Sequence, residues 1–87
     1  MICRIGIFNR LPEPTPWVIE AAKSVPGCRG AYHLRRRDGT GGLSISFWDD
    51  EQAAERGKEA IFKARPEGYE GAGPDEVEFY EVYEYAL

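Results

Sequence analysis

Between Gly42 and Ala64 the spacing of apolar positions changes once. Leu43, Ile45 and Phe47 alternate with Ser44, Ser46 and Trp48, the period-two pattern of a strand with two distinct faces. From Ala53 onward Gly57, Ala60, Ile61 and Ala64 recur at helical spacing, with Glu51, Glu55, Arg56, Lys58, Glu59 and Lys63 on the remaining surface. The switch falls at Asp49, whose carboxylate can accept from an early helical N–H, with Gln52 three residues on as in a capping box. The spacing therefore predicts a helix beginning at Asp50. A stripe of mostly Ala and Gly can approach a sheet closely but brings little apolar area of its own.

The flanking segments complete an order of elements. Met1 to Phe8 reads as a strand with Ile2, Arg4, Gly6 and Phe8 on one face and Cys3, Ile5 and Ile7 on the other, ending at Asn9. Three prolines within Arg-Leu-Pro-Glu-Pro-Thr-Pro exclude regular structure. Thr15 is placed to cap a helix with Pro16 at its first position, running to about Ser24 before Pro26-Gly27 stops it. Cys28 to Arg37 is a second strand, joined to the third by a hairpin through Asp38 to Gly42. The glycines there do not form a phosphate cradle, since no Lys-Ser/Thr follows and the next element is a strand. Arg65 to Asp75 is a Pro/Gly-rich loop, expected to be mobile, and Glu76 to Tyr85 the last strand. The order βαββαβ predicts an α+β, ferredoxin-like fold: a four-stranded antiparallel sheet in the order 4-1-3-2, both helices on one face.

Composition narrows the function classes. Eighty-seven residues make a single domain, 1–87, and no run is long or apolar enough for a membrane span or signal peptide, which points to the cytoplasm. A net charge of −4 argues against nucleic acid as partner. The charge is uneven: all eleven Lys and Arg lie at or before Arg65, and seven acidic residues follow it. Cys3 and Cys28 have no metal-ligand spacing and read as free thiols, since the third strand would separate the strands that carry them. No metal or cofactor is called for.

The run Pro26-Gly-Cys-Arg-Gly-Ala-Tyr-His-Leu-Arg-Arg, the hairpin, and then Leu-Ser-Ile-Ser-Phe-Trp-Asp-Asp-Glu-Gln-Ala-Ala together resemble the pattern of the antibiotic-biosynthesis-monooxygenase-like proteins of the dimeric α+β barrel superfamily. The resemblance implies a homodimer with a shared barrel and a ligand cleft between helices and sheet in each subunit. It implies an aromatic or quinone-like small molecule as ligand and, in some members, oxygenation without cofactor; others degrade haem. Asn9 matches the Asn that haem-degrading members carry after the first strand, but the second helix lacks their Trp and ligating His. A non-catalytic dimeric barrel is the alternative.

Placing Asn9 in the cleft carries Cys3, Ile5, Ile7, Cys28, Gly30, Tyr32, Leu34, Leu43, Ile45 and Phe47 to the helix side. Cofactor-free oxygenation needs donors that stabilise a substrate anion, so Asn9 and Tyr32 are the catalytic candidates, with Trp17, Phe47 and Tyr69 as substrate-binding residues and Tyr69 as a lid. Each has a plainer alternative: a turn hydrogen bond for Asn9, packing for Trp17 and Tyr32. The same alternation turns His33, Ile2, Phe8, Trp48, Tyr80 and Val82 to the uncovered face, where a second copy would bury them. Capping accounts for Asp49 and Asp50, and Arg35, Arg36 and Arg37 read as a solvated edge.

Overall fold

The computed structural model describes residues 1–11 and 13–86. The elements are β1 (Ile2–Phe8), α1 (Pro16–Lys23), β2 (Cys28–Arg35), β3 (Gly42–Trp48), α2 (Glu51–Ala64) and β4 (Glu76–Glu81). All strand pairs are antiparallel, and the order β2-β3-β1-β4 is the expected 4-1-3-2 counted from the opposite edge. The fold is α+β and ferredoxin-like. β2 and β4 are shorter than the sequence pattern suggests, because Arg36 and Arg37 enter the hairpin turn and Tyr83 and Tyr85 lie beyond the last strand.

The cap of α2 and its first residue each lie one position later than the spacing predicts, the helix beginning at Glu51 rather than Asp50. Asp50, not Asp49, caps α2: its Oδ1 accepts from the Ala53 N–H at 2.8 Å. Asp49 instead pairs with the Arg29 guanidinium, while its backbone N–H donates to the Gly27 carbonyl at 2.9 Å. Thr15 stands at the start of α1 but its side chain makes no capping bond. Gly27, just past that helix, has φ +96°, a conformation that L side chains rarely adopt, and a Cβ there would lie 2.7 Å from the Ala53 Cβ.

The largest correction concerns the faces of the sheet. Residues paired across antiparallel strands share a face, and Ile2 pairs with Trp48, Arg4 with Ser46, Gly6 with Ser44 and Phe8 with Gly42. Trp48 is only 2 % exposed and packs with Ala22 of α1, Val25 just past it, and Ala53 and Ala54 of α2. The helices therefore cover the face of Ile2, Arg4, Gly6, Ser44, Ser46 and Trp48. Cys3, Ile5, Ile7, Leu43, Ile45 and Phe47 lie on the other face, with Tyr80 opposite Cys3. A bulge between Cys28 and Gly30 breaks the alternation in β2. Cys28 thus sits against the helix-side core, while Tyr32 and Leu34, paired with Ile45 and Leu43, lie on the open face and Ala31 and His33 under the helices. Both cysteines are free, on opposite faces of β1 and β2 with β3 between.

The indole explains the Ala/Gly stripe. A Cβ at Gly57 would overlap the Trp48 Cη2 and stand 2.6 and 2.7 Å from Cζ2 and Cζ3, so the ring fills the space that a missing side chain leaves in α2. Its Nε1–H donates to the Ser46 hydroxyl at 2.9 Å, which satisfies the one polar atom of a buried ring. Gly57→Ala would gain about 1 kcal/mol of helix propensity at an exposed site; here it is expected to lower stability by about 1–3 kcal/mol through overpacking. A fall in the urea midpoint at constant m-value checks this.

Candidate functional site

The core around Trp48 fills the space beneath the C-terminal end of α1 and the N-terminal half of α2. Toward the other end of the sheet the helix-facing floor includes small side chains, Ala31, Ser44 and Ser46, between the larger Arg4, Phe8 and His33. Small floor residues under two helices leave room, and a cleft of about 870 Å³ occupies it. Its walls are Phe8, Trp17, Val18, Ile61 and Phe62, and Tyr69 and Gly71 to Pro74 border it.

The floor is polar. Arg4 and Ser46 lie side by side across β1 and β3, and Ser44 and His33 across β3 and β2. Burial lowers the pKa of both the Arg4 guanidinium and the His33 imidazole from their ordinary values, so His33 is biased toward its neutral form, able to donate from one ring nitrogen and accept at the other. Six Lys and Arg side chains line the cleft, Arg4, Arg10, Arg35, Lys58, Lys63 and Arg65, against three acidic ones, Glu13, Glu55 and Glu59.

The loop after α2 is tied to the loop after β1. The Arg10 guanidinium donates to both Asp75 carboxylate oxygens at 3.3 Å and to the carbonyls of Ala72 and Gly73 at 2.9 and 3.0 Å. Asp75 also accepts from the Asn9 backbone N–H at 2.7 Å, and its own N–H donates to the Ile7 carbonyl at 2.8 Å. Tyr69 meets Trp17 edge to face, with ring centroids 5.3 Å apart, and the Arg65 guanidinium lies over the Tyr69 ring at 5.5 Å from its centroid. Gly71 has no side chain to push the phenol away; a Cβ there would lie 2.9 Å from the Tyr69 Cε1.

Of the residues nominated from sequence, Trp17 and Tyr69 come together at this cleft. Asn9, Tyr32 and Phe47 do not line it. Asn9 borders a separate recess of about 290 Å³ with Phe8, Arg36 and Thr40. Tyr32, 58 % exposed, packs edge to face on Phe47 on the open side of the sheet. Their expected place in the cleft is corrected by the register of β1 with β3, and by Trp48, which claims the helix side. The same inversion brings in residues the sequence reading placed elsewhere: Arg4, Phe8 and His33. The signal for them was present in the alternation of Arg4, Gly6 and Phe8 with Cys3, Ile5 and Ile7, since polar and small residues under a helix pair mark a cleft rather than a core.

No protein family model and no curated protein matches the chain. Among solved structures it is similar to Rv0793 from Mycobacterium tuberculosis, with TM-score 0.73 at 16% identity over 99% of this chain and 98% of that one. It is also similar to PA3566 from Pseudomonas aeruginosa, with TM-score 0.61 at 18% identity over 98% and 94% of the two chains. These likenesses establish the fold.

Replacing Arg10 by Ala removes the side-chain donor that ties the two loops together, leaving the bonds made by the Asn9 and Asp75 backbone N–H groups. Amide exchange at Asn9 and Asp75 is expected to rise roughly tenfold or more, with exchange in the central strand β3 unchanged.

Proposed function

We propose that the cleft between helices and sheet binds an aromatic or quinone-like small molecule, in a homodimer of the kind formed by the antibiotic-biosynthesis-monooxygenase-like proteins. The observation that carries the reading is the cleft's division into aromatic and aliphatic walls and a polar floor. Such a division suits a planar ring system whose oxygens point at the sheet. The sequence resemblance supports the family, and the ferredoxin-like fold is compatible with it.

The binding step is tested by titrating 2-naphthol into the protein calorimetrically. Trp17→Ala and Tyr69→Ala are expected to weaken binding about tenfold each, the scale of a lost aromatic contact. Unchanged affinity in both variants would place the ligand elsewhere.

Two readings share this step. In one the protein oxygenates its ligand with molecular oxygen and no cofactor; in the other it binds without catalysis. The second is favoured by the position of Asn9 and Tyr32, the nominated catalytic residues, outside the cleft. Oxygen uptake with a dihydroxynaphthalene separates them: a rate above uncatalysed autoxidation supports the oxygenase, and a rate equal to it supports the binding protein.

The homodimer rests on the open sheet face. Ile5, Ile7, Leu43, Ile45 and Phe47 are half-buried there, and Tyr32, Leu34 and Tyr80 are exposed. An apolar face of this breadth suits a partner surface, and about 800 Å² per subunit is typical of a specific one. The edge strands carry opposite charge, Arg29 and Arg35 on β2 and Glu76, Glu78 and Glu81 on β4. A two-fold axis can bring the acidic edge of one subunit to the basic edge of the other. Light scattering at micromolar concentration is expected to give twice the chain mass, and Ile45→Glu to give the monomer with its secondary structure intact. Trp48 is unsuited to that test, because a charge beneath α2 would unfold the subunit.

A further inference from the structure

The charges in the cleft run against the charge of the chain. The protein carries a net −4, yet six of its Lys and Arg side chains face this one space and only three acidic groups do. Several of the cations have something to hold, and Arg35, Lys58 and Lys63 at the cleft stand exposed to water. Arg10 is spent on Asp75 and two carbonyls, and Arg65 on the Tyr69 carbonyl at 2.8 Å and on its ring. Arg29 and Arg36 pair with Asp49 and Asp38.

Arg4 differs from these. It projects from the middle of β1 into the floor of the cleft, and among the described residues its guanidinium makes neither an ion pair nor a hydrogen bond. Its neighbours across the sheet are Ser46 on β3 and Phe79 on β4, neither of them an anion. The Ser46 hydroxyl is already engaged with the Trp48 indole.

Burial lowers the Arg4 pKa from its ordinary value, but an arginine in a protein does not escape desolvation by releasing its proton. The remaining way to recover the lost hydration is a negatively charged partner, and a planar guanidinium fits the two oxygens of a carboxylate, or a delocalised phenolate or enolate, better than any point charge does. The walls above it are aromatic. Phe8, Trp17, Phe62 and Tyr69 would face the rings of a ligand whose oxyanion reached the floor.

We infer that the molecule taken by the cleft is an aromatic oxyanion, and that the Arg4 guanidinium on the cleft floor holds its charged oxygens. This rests on the binding role proposed for the cleft and names the ligand's chemical class. His33, on the far side of Ser44 from β1, offers a neutral ring nitrogen to a second oxygen of a larger ligand.

The test compares 2-naphthoate with its uncharged counterpart 2-naphthamide in calorimetric titrations of the whole protein. Wild type is expected to bind the carboxylate about tenfold or more tightly than the amide, the value of a charge-assisted pair over a neutral one. Arg4→Gln should erase that preference while leaving the amide affinity as it was, and Arg37→Gln, outside the cleft, should leave the preference intact. Arg4→Lys keeps the charge without the fork and is expected to retain part of the preference; it stands in for Arg4→Gln should that variant not fold. Equal affinity for the two probes in wild type, or a preference that survives at Arg4→Gln, overturns the assignment of Arg4 while leaving the cleft as an aromatic site. Failure of both probes to bind overturns the cleft reading itself, and the inference with it.

Discussion

One side chain decides how this sheet is oriented beneath its helices. The Trp48 indole buries its area in the gap that Gly57, Ala53 and Ala54 leave along α2, closed from the side by Ala22 and Val25. Once it is there, strand alternation places Ser46 and Ser44 on the same face, and the antiparallel register places Arg4 and Gly6 beside them. The tight end of the helix–sheet interface and the open end are thus one arrangement. A large ring against small helical residues makes the core, and small floor residues further along the same strands make the cleft.

The order of elements was legible because each boundary has a local cause: Pro16 opening α1, Pro26-Gly27 closing it, the glycine-rich turn between β2 and β3, and the change of period after Trp48. The faces were not, for a reason of the same physical kind. Hydrophobic alternation says that a strand has two faces without saying which one a helix will cover, and here the more aliphatic face, with Ile5, Ile7, Leu43 and Ile45, is the uncovered one. Anchoring the alternation on Asn9 settled the ambiguity the wrong way, since Asn9 lies past the end of β1, where the chain has begun to turn. The bulge before Gly30 was also hidden, because an extra residue in a strand leaves no mark on a short pattern. A size argument would have chosen correctly: a helix stripe of Ala and Gly demands a bulky partner, and Trp48 is the bulkiest residue on either face of β3.

The inversion changes what each surface is suited to do. An aliphatic sheet face under helices would have made a filled interior with little space for a ligand. Turned outward, the same residues form a broad apolar surface suited to another protein surface, and the polar face is kept for the cleft. Core and cleft meet at Ala22, Trp48 and Ala54, which belong to both. Arg4 and His33 line the cleft without being members of that core, so they can serve a ligand without being required by it.

The uneven distribution of charge along the chain acquires a spatial meaning from the same topology. Every Lys and Arg occurs at or before Arg65, and the acidic run after it goes into the last loop and into β4 at the edge of the sheet. The cleft lies over β1, β3 and β2 and beneath α2, so it collects basic residues from several elements, while much of the negative charge stands along one outer edge. A cleft with low-dielectric aromatic walls concentrates the field of the cations that line it. An acidic protein can in this way present a positive interior to a small anion while its acidic β4 edge remains available to an oppositely charged one. Arg35, Lys58 and Lys63 line the cleft from exposed positions, whereas Arg4 is half-buried on its floor without a protein partner among the described residues, and it is there that such a field would end on a ligand atom.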